Sequence, residues 1–366
     1  RRACVYSSTS PSLQRWATAT LRHLITEDRR RACVYSSGPH RYESFMRQLV
    51  STGGIMILCS LLSAEDAETR AHATSALEAI VISAREIGLA ISSSSGSSST
   101  SSTRAGRGTG ADSSIVDAVV SNSGCGPALA HLLISSDESV AMMGCSFASS
   151  LISPLLTDPR GSGGALQRCV ATDGGHDDAE EDGLSSYRHA ALALAVGEEG
   201  GLGGSSSGGS SVSCLPSLIS ILRSGSADSD SWGGGSKSRS IKLQVVAGEC
   251  LAAIALAIGH IVGASESSSA RNSNNCGAYH SHYVRAKGAL EIMEGEGMHD
   301  VAYRLVTSAS SRSFDPARNT PHARLGEAMG VVLLALSSCS RASSSHLASN
   351  RAVSTLVTIA SESIDA

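Results

Sequence analysis

Residues 53–80 read "GGIMILCSLLSAEDAETRAHATSALEAI". Paired glycines open the stretch, a short apolar run follows, an acidic turn interrupts it, and a longer apolar run closes it. Leu58, Leu61 and Leu62 fall at helical spacing in the first run. Ala73, Leu77 and Ile80 stand at i, i+4 and i+7 in the second. That period puts each set on one face of a helix. Glycine at the opening suits a left-handed helix stop followed by a sharp change of direction.

The same text recurs. Shifted forward so that Gly53 meets Gly124, the stretch lands without a gap on "GCGPALAHLLISSDESVAMMGCSFASSL" at 124–151. Leu58, Leu61 and Leu62 meet Leu129, Leu132 and Leu133, and Asp66 meets Asp137. Ala73, Leu77 and Ile80 meet Gly144, Ala148 and Leu151. A third copy is split: "CLPSLISILRSG" supplies Leu218, Ile221 and Leu222, and "LQVVAGECLAAIALAI" supplies Ala247, Leu251 and Ile254. A weaker fourth has Gly297, Leu305 and Val306 before "HARLGEAMGVVLLAL". "RAVSTLVTIA" near the end adds a short helix with Leu356 and Ile359. "LQRWATATLRHL" near the start is a long helix alone, with Ala17, Leu21 and Leu24 in register. A helix-like segment also precedes the glycines in "YESFMRQLVSTG", "SSIVDAVVSNSG" and "RHAALALAVGEEGG". The unit is thus a short helix, a glycine break, a second helix, a polar turn and a long third helix. Self-similarity of this kind marks a stacked array, in which the small residue lets helices approach and the Leu/Ile stripe buries against neighbours.

The glycine break, the L-x-x-L-L helix and the A-x-x-x-L-x-x-I/L helix resemble the armadillo repeat over most of the chain outside its low-complexity stretches. HEAT repeats have two helices and lack the glycine-marked short first one. The resemblance implies an all-α fold, a right-handed α-solenoid over residues 1–366, with about three complete units and partial ends. Second helices start near residues 54, 125, 214, 298 and 352, farther apart than the roughly 40–47 residues of an uninterrupted unit. Ser/Gly-rich or acidic inserts supply the excess at 92–114, 158–186, 200–211, 224–240 and 265–283. They hold too little apolar surface to offset the cost of ordering and are expected to be flexible loops. Their serines are expected sites for phosphorylation-dependent contacts.

Composition agrees with helices. Apolar residues make up 41% of the chain but aromatics only 3%, which suits close-packed Ala and Leu helices better than a β-sandwich. A net charge of −4 gives the whole molecule no nucleic-acid footprint. Residues 1–50 nevertheless hold nine Arg against three acids. They read as a solvated helix face with a local Arg cluster, or as a contact for an acidic partner, phosphate or RNA through Arg22, Arg29, Arg30 and Arg31. The ten cysteines are scattered with no C-x-x-C pair, and Cys59, Cys145 and Cys250 sit inside apolar runs. Buried free thiols in a reducing compartment are expected, hence an intracellular location, cytoplasmic or nuclear. Neither a signal peptide nor an unbroken apolar run of about 18 residues is evident, so no membrane span is expected. "RRACVYSS" occurs at 1–8 and again at 30–37; the first copy reads as the end of a preceding unit or as a local duplication.

Motifs for chemistry do not complete themselves. "GRGTGADS" at 106–113 lacks G-x-G-x-x-G spacing and a preceding strand, and "WGGGSKS" at 232–238 has Ser236 where a phosphate loop needs glycine. Cys276, His280 and His282 have no second ligand pair for zinc. The carboxylates of "DGGHDDAEEDG" at 173–183 fail the alternation of a calcium loop. A non-catalytic protein with no cofactor, metal or small-molecule substrate is expected.

The armadillo resemblance implies a concave face lined by third helices, where a partner segment docks. In the nuclear-import adaptors of this type, a Trp-x-x-x-Asn pair on each third helix clamps the peptide. Here the Trp places hold Ala19, Ser75, Ser146 and Glu249, and the Asn places hold His23, Ala79, Ser150 and Ala253. Trp16 lies three residues from the matching place and is expected to pack between helices. Basic import signals are therefore not the expected ligand. With only three Lys, a catenin-like basic groove is not expected either. Arg15, His23, Glu27, Ser75 and Glu249 are the candidate groove residues for an unidentified protein partner.

Overall fold

Gly53 adopts φ +76° and ψ 19°, in the left-handed region, and helix begins again at Gly54. Gly197 and Gly297 also have positive φ, at the end of the first helix in two later units. A Cβ at these positions strains the backbone, so the glycines mark where one helix stops and the next sets off. The computed structural model describes residues 11–34, 45–94 except 47 and 50, 116, 119, 120, 125–152, 178–197, 213–224, 240–268, 276–311 and 320–339.

Among the described residues there are eleven helices and no strand, so the fold is all-α. They are α1 (Pro11–Val34), α2 (Gly54–Leu61), α3 (Ala67–Ser94), α4 (Cys125–Leu133) and α5 (Glu138–Ile152). There follow α6 (Asp178–Val196), α7 (Leu215–Ser224), α8 (Ile241–Ser268), α9 (Cys276–Gly295), α10 (Met298–Ser311) and α11 (Pro321–Cys339). The long helices α1, α3, α5, α8 and α11 lie in chain order, each packed on the next. The second helices α2, α4, α7 and α10 each pack on their own long helix and touch the next second helix. Helices α6 and α9 are first helices and pack on each other.

The aligned residues carry the core. Leu58, Leu62, Leu77 and Ile80 are buried, as are their counterparts Leu129, Leu133, Ala148 and Leu151. The small position explains the closeness of second and third helices. A Cβ on Gly144 would lie 3.0 Å from Leu132 Cβ and 3.4 Å from Leu133 Cδ2, so the leucine pair of α4 rests directly on the backbone of α5. Ala73 and Ala247 hold the same place in α3 and α8 and are fully buried.

The acidic turn is a helix cap. Asp66 Oδ2 accepts from the Thr69 amide at 2.9 Å and from Thr69 Oγ1 at 2.6 Å, and Asp137 Oδ1 accepts from the Ser139 amide and hydroxyl. Ser240 and Thr320 accept from backbone amides at the starts of α8 and α11. Each cap satisfies amides that a helix start leaves without a partner. The hydrogen bonds from Thr69 and Ser139, side chain first and then amide, hold the Asp66 and Asp137 carboxyls below the ordinary 3.8.

Several boundaries differ from the sequence reading. Helices α9, α10 and α11 make a fourth full set, so Cys276–Gly295 is a first helix rather than part of an insert at 265–283. Ala286, Ala289 and Met293 form its buried stripe. Helix α6 begins at Asp178, inside the expected insert 158–186, and α8 runs on to Ser268. Helices α3 and α7 reach Ser94 and Ser224, the first residues of two further inserts. Once nucleated, a helix adds polar residues at little cost, which is why it outruns its apolar pattern. Helix α1 continues to Val34, so the second "RRACVYSS" begins within it. Residues 200–211, the interiors of the other inserts and residues 351–360 lie outside the described residues.

Two predictions follow from this packing. Gly144→Val drives a branched side chain into Leu132 and is expected to cost about 1–3 kcal/mol, read as a lower urea midpoint. Asp66 and Asp137 have depressed pKa values when folded, so their contribution is present above the unfolded value and lost as pH falls through the folded one. The urea midpoint should therefore drop as pH falls from about 5 to about 2, and drop less steeply in the Asp66→Asn, Asp137→Asn double variant.

Candidate functional site

The third helices carry the predicted groove residues, and polar contacts bridge them. Arg15 on α1 donates from Nη1 to Glu68 Oε2 on α3 at 2.9 Å. Ser146 on α5 donates to Glu78 Oε1 on α3 at 2.6 Å. Arg324 on α11 bonds Glu249 on α8 through Nη2 and, at 3.1 Å, through Nε. Between α5 and α8 the bridge is buried: Cys250 Sγ points at the Cys145 carbonyl at 3.4 Å. Both ion pairs are partly solvated and are worth on the order of 0–1 kcal/mol each, enough to align neighbours but not to hold the stack.

Arg15 and Glu249 thus pair with residues of the adjacent long helix, not with other predicted groove residues. His23 is exposed, while Glu27 and Ser75 are half-buried. Arg22 is half-buried, and Arg29, Arg30 and Arg31 lie in the last turns of α1 with their side chains outside the described residues. Trp16 does not pack between helices: it is 68% exposed. The partners Glu68, Glu78 and Arg324 were not foreseen. Register carries a signal for one of them, since Arg15 is equivalent to Ala71 and Glu68 lies one turn before it.

A second polar cluster joins α6, α8 and α9. Arg188 lies 3.1 Å from His260 Nε2, the His189 and His282 rings meet edge to face at 5.8 Å, and Arg285 donates to the Gly197 carbonyl at 3.0 Å. Burial, then His189 and Arg285, push the His282 pKa down and favour its neutral ring. Among the described residues, no group of three or more His, Cys, Asp and Glu is arranged to hold a metal ion.

Helix α8 supplies one stretch, Ile241–Gly263, long and apolar enough by length and composition to cross a membrane. The sequence reading expected no unbroken apolar run of that length. Most of it is buried against α5, α6, α7, α9 and α11, as in a core helix. Cys59, Cys125, Cys145, Cys214 and Cys250 are buried free thiols, and Cys339 is half-buried. Burial pushes Cys214 up to about 12 and raises Cys250 well above its ordinary range.

No family model matches the chain, and no curated protein matches it. Among solved structures it is similar to an engineered protein known from a crystal structure, at 15% identity over 96% of this chain and 92% of that one, with a TM-score of 0.18. A likeness at that level carries no argument about fold or function.

The thiol environments lead to a direct expectation. In the folded protein at about pH 8, an alkylating reagent should modify Cys339 and leave Cys59, Cys145, Cys214 and Cys250 intact until denaturant is added. Peptide mapping by mass spectrometry reads the order of modification.

Proposed function

We propose that the chain is a non-catalytic protein-binding scaffold of armadillo type, a right-handed α-solenoid whose third helices form a concave face for an extended partner segment. The observation that supports it is the run α1, α3, α5, α8 and α11, each packed on the next, with the same alternation of small and large residues in α3, α5 and α8. A face built on helices is pre-organised, so a partner pays little for ordering it. In this reading the Arg15–Glu68 and Glu249–Arg324 pairs set the spacing of neighbouring helices, and His23 and Ser75 meet the partner. The pairs neutralise charge along the face, which favours a partner read by backbone and apolar contacts over a strongly charged peptide. The compartment proposed is the cytoplasm or nucleus.

Affinity capture by the intact chain tests the reading. Proteins held by the wild type should be lost with His23→Glu combined with Ser75→Glu, and kept with Met56→Glu on the second-helix side. Capture that ignores the first pair, or salt-sensitive RNA capture lost with Arg29→Ala, Arg30→Ala and Arg31→Ala, would contradict it.

A further inference from the structure

The cap that starts α11 differs in kind from those of α3 and α5. Those two helices are capped by the carboxylates of Asp66 and Asp137, and each has a further acid in its first turn, Glu68 and Glu138. Helix α11 is capped by a hydroxyl: Thr320 Oγ1 accepts from the Ala323 amide at 3.2 Å, and the first turn holds no acid. Pro321 follows at once, and a proline disfavours helical backbone in the residue before it. Thr320 accordingly stands outside the helix, half-buried, and among the described residues it is the one Ser or Thr followed by Pro. One turn further on is Arg324, whose Nε and Nη2 both bond Glu249 Oε1 on α8. The Thr320 hydroxyl is thus one helical turn from the cation that bridges two long helices.

We propose that Thr320 is a phosphorylation site for a proline-directed protein kinase, and that its phosphate takes Arg324 away from Glu249. Thr320 Oγ1 attacks the γ-phosphorus of a nucleoside triphosphate, and the bond from that phosphorus to the bridging oxygen of the β-phosphate breaks. The nucleoside diphosphate leaves, and the hydroxyl proton passes to the kinase's base. The product carries about −1.5 to −2 charges at pH 7 and three acceptor oxygens, against the single charge of Glu249. Its contact with Arg324 is charge-assisted and lies within one turn of one helix, whereas the Glu249 contact spans two helices. Arg324 is 49% exposed, so its side chain can turn without unpacking α11. The consequence for the groove rests on the proposed scaffold function. With Arg324 withdrawn, Glu249 adds a bare carboxylate to the third-helix face, which then favours a basic partner segment. Phosphorylation and the exchange of Arg324 are both read on the chain alone, so their failure is distinct from failure of the scaffold function.

The test incubates the full chain with a proline-directed kinase and ATP and maps the product by mass spectrometry. Phosphate is expected on Thr320 and is absent there in Thr320→Val. Phosphorus NMR then follows the phosphothreonine through pH. Pairing with Arg324 should hold its second pKa below the ordinary value of about 6, and the value should return to about 6 in phosphorylated Arg324→Gln. Arg324 is exposed and its ion pair is weak, so this variant keeps the fold. In phosphorylated Glu249→Gln, which removes the rival carboxylate, the pKa should stay low. The site is overturned if Thr320 is left unmodified in the folded chain while a synthetic peptide of residues 314–327 is modified. Phosphate found only on Ser10 or Ser153, the other residues that precede a proline, overturns it as well. A phosphate pKa that is the same in the wild type and in Arg324→Gln overturns the exchange, because Arg324 then stays with Glu249.

Discussion

The seat of a leucine pair on a small residue governs the geometry of each unit. Gly144 under Leu132 and Leu133 shows it most directly, and Ala73 and Ala247 repeat it. A larger side chain there lifts the second helix off the third, and the buried stripe then opens to water. Because the contact is apolar and close-packed, it tolerates little volume change in either direction. The long helices keep their spacing because each is held from behind by its own second helix and from the side by its neighbours. Among the described packing pairs helix α1 has the lateral neighbour alone, and its Leu13, Trp16 and Leu24 are exposed while Ile25 is buried.

Around that seat, local signals set the corners. Positive-φ glycine ends the first helix at Gly53, Gly197 and Gly297, and a polar cap starts the third at Asp66, Asp137, Ser240 and Thr320. The polar bridges between long helices come last in energy. Arg15–Glu68 and Glu249–Arg324 are too solvated to drive assembly, so they act as register marks on a stack already built by burial.

Much of this could be read from residue spacing. The match of 53–80 to 124–151 placed α2, α3, α4 and α5 and identified the small position and the Leu/Ile stripe, because a repeated buried face forces the same residues to recur. Helix α9 escaped because its stripe uses Ala286 and Ala289, which look neutral beside a Ser- and Asn-rich stretch, and because its register with earlier first helices is not marked by glycine pairs. The start of α6 at Asp178 escaped because a run of acids suits a helix N-terminus as well as a loop. The candidate site was the least legible part. Helical spacing tells which residues share a face, but the partners of Arg15 and Glu249 lie on other helices, 53 and 75 residues away. Trp16 was misplaced for a related reason: an aromatic in an apolar run is normally covered, and only the packing of the described helices shows it 68% exposed.

Native-state hydrogen exchange on the full chain tests the central dependence of third helices on their second helices. Amides of α3, α5 and α8, each backed by its own second helix, should exchange slowly and together, whereas those of α1 should exchange markedly faster although α1 has 24 residues and α5 only 15. Equal protection of α1 and α5, or fast exchange throughout the long helices, would contradict the account.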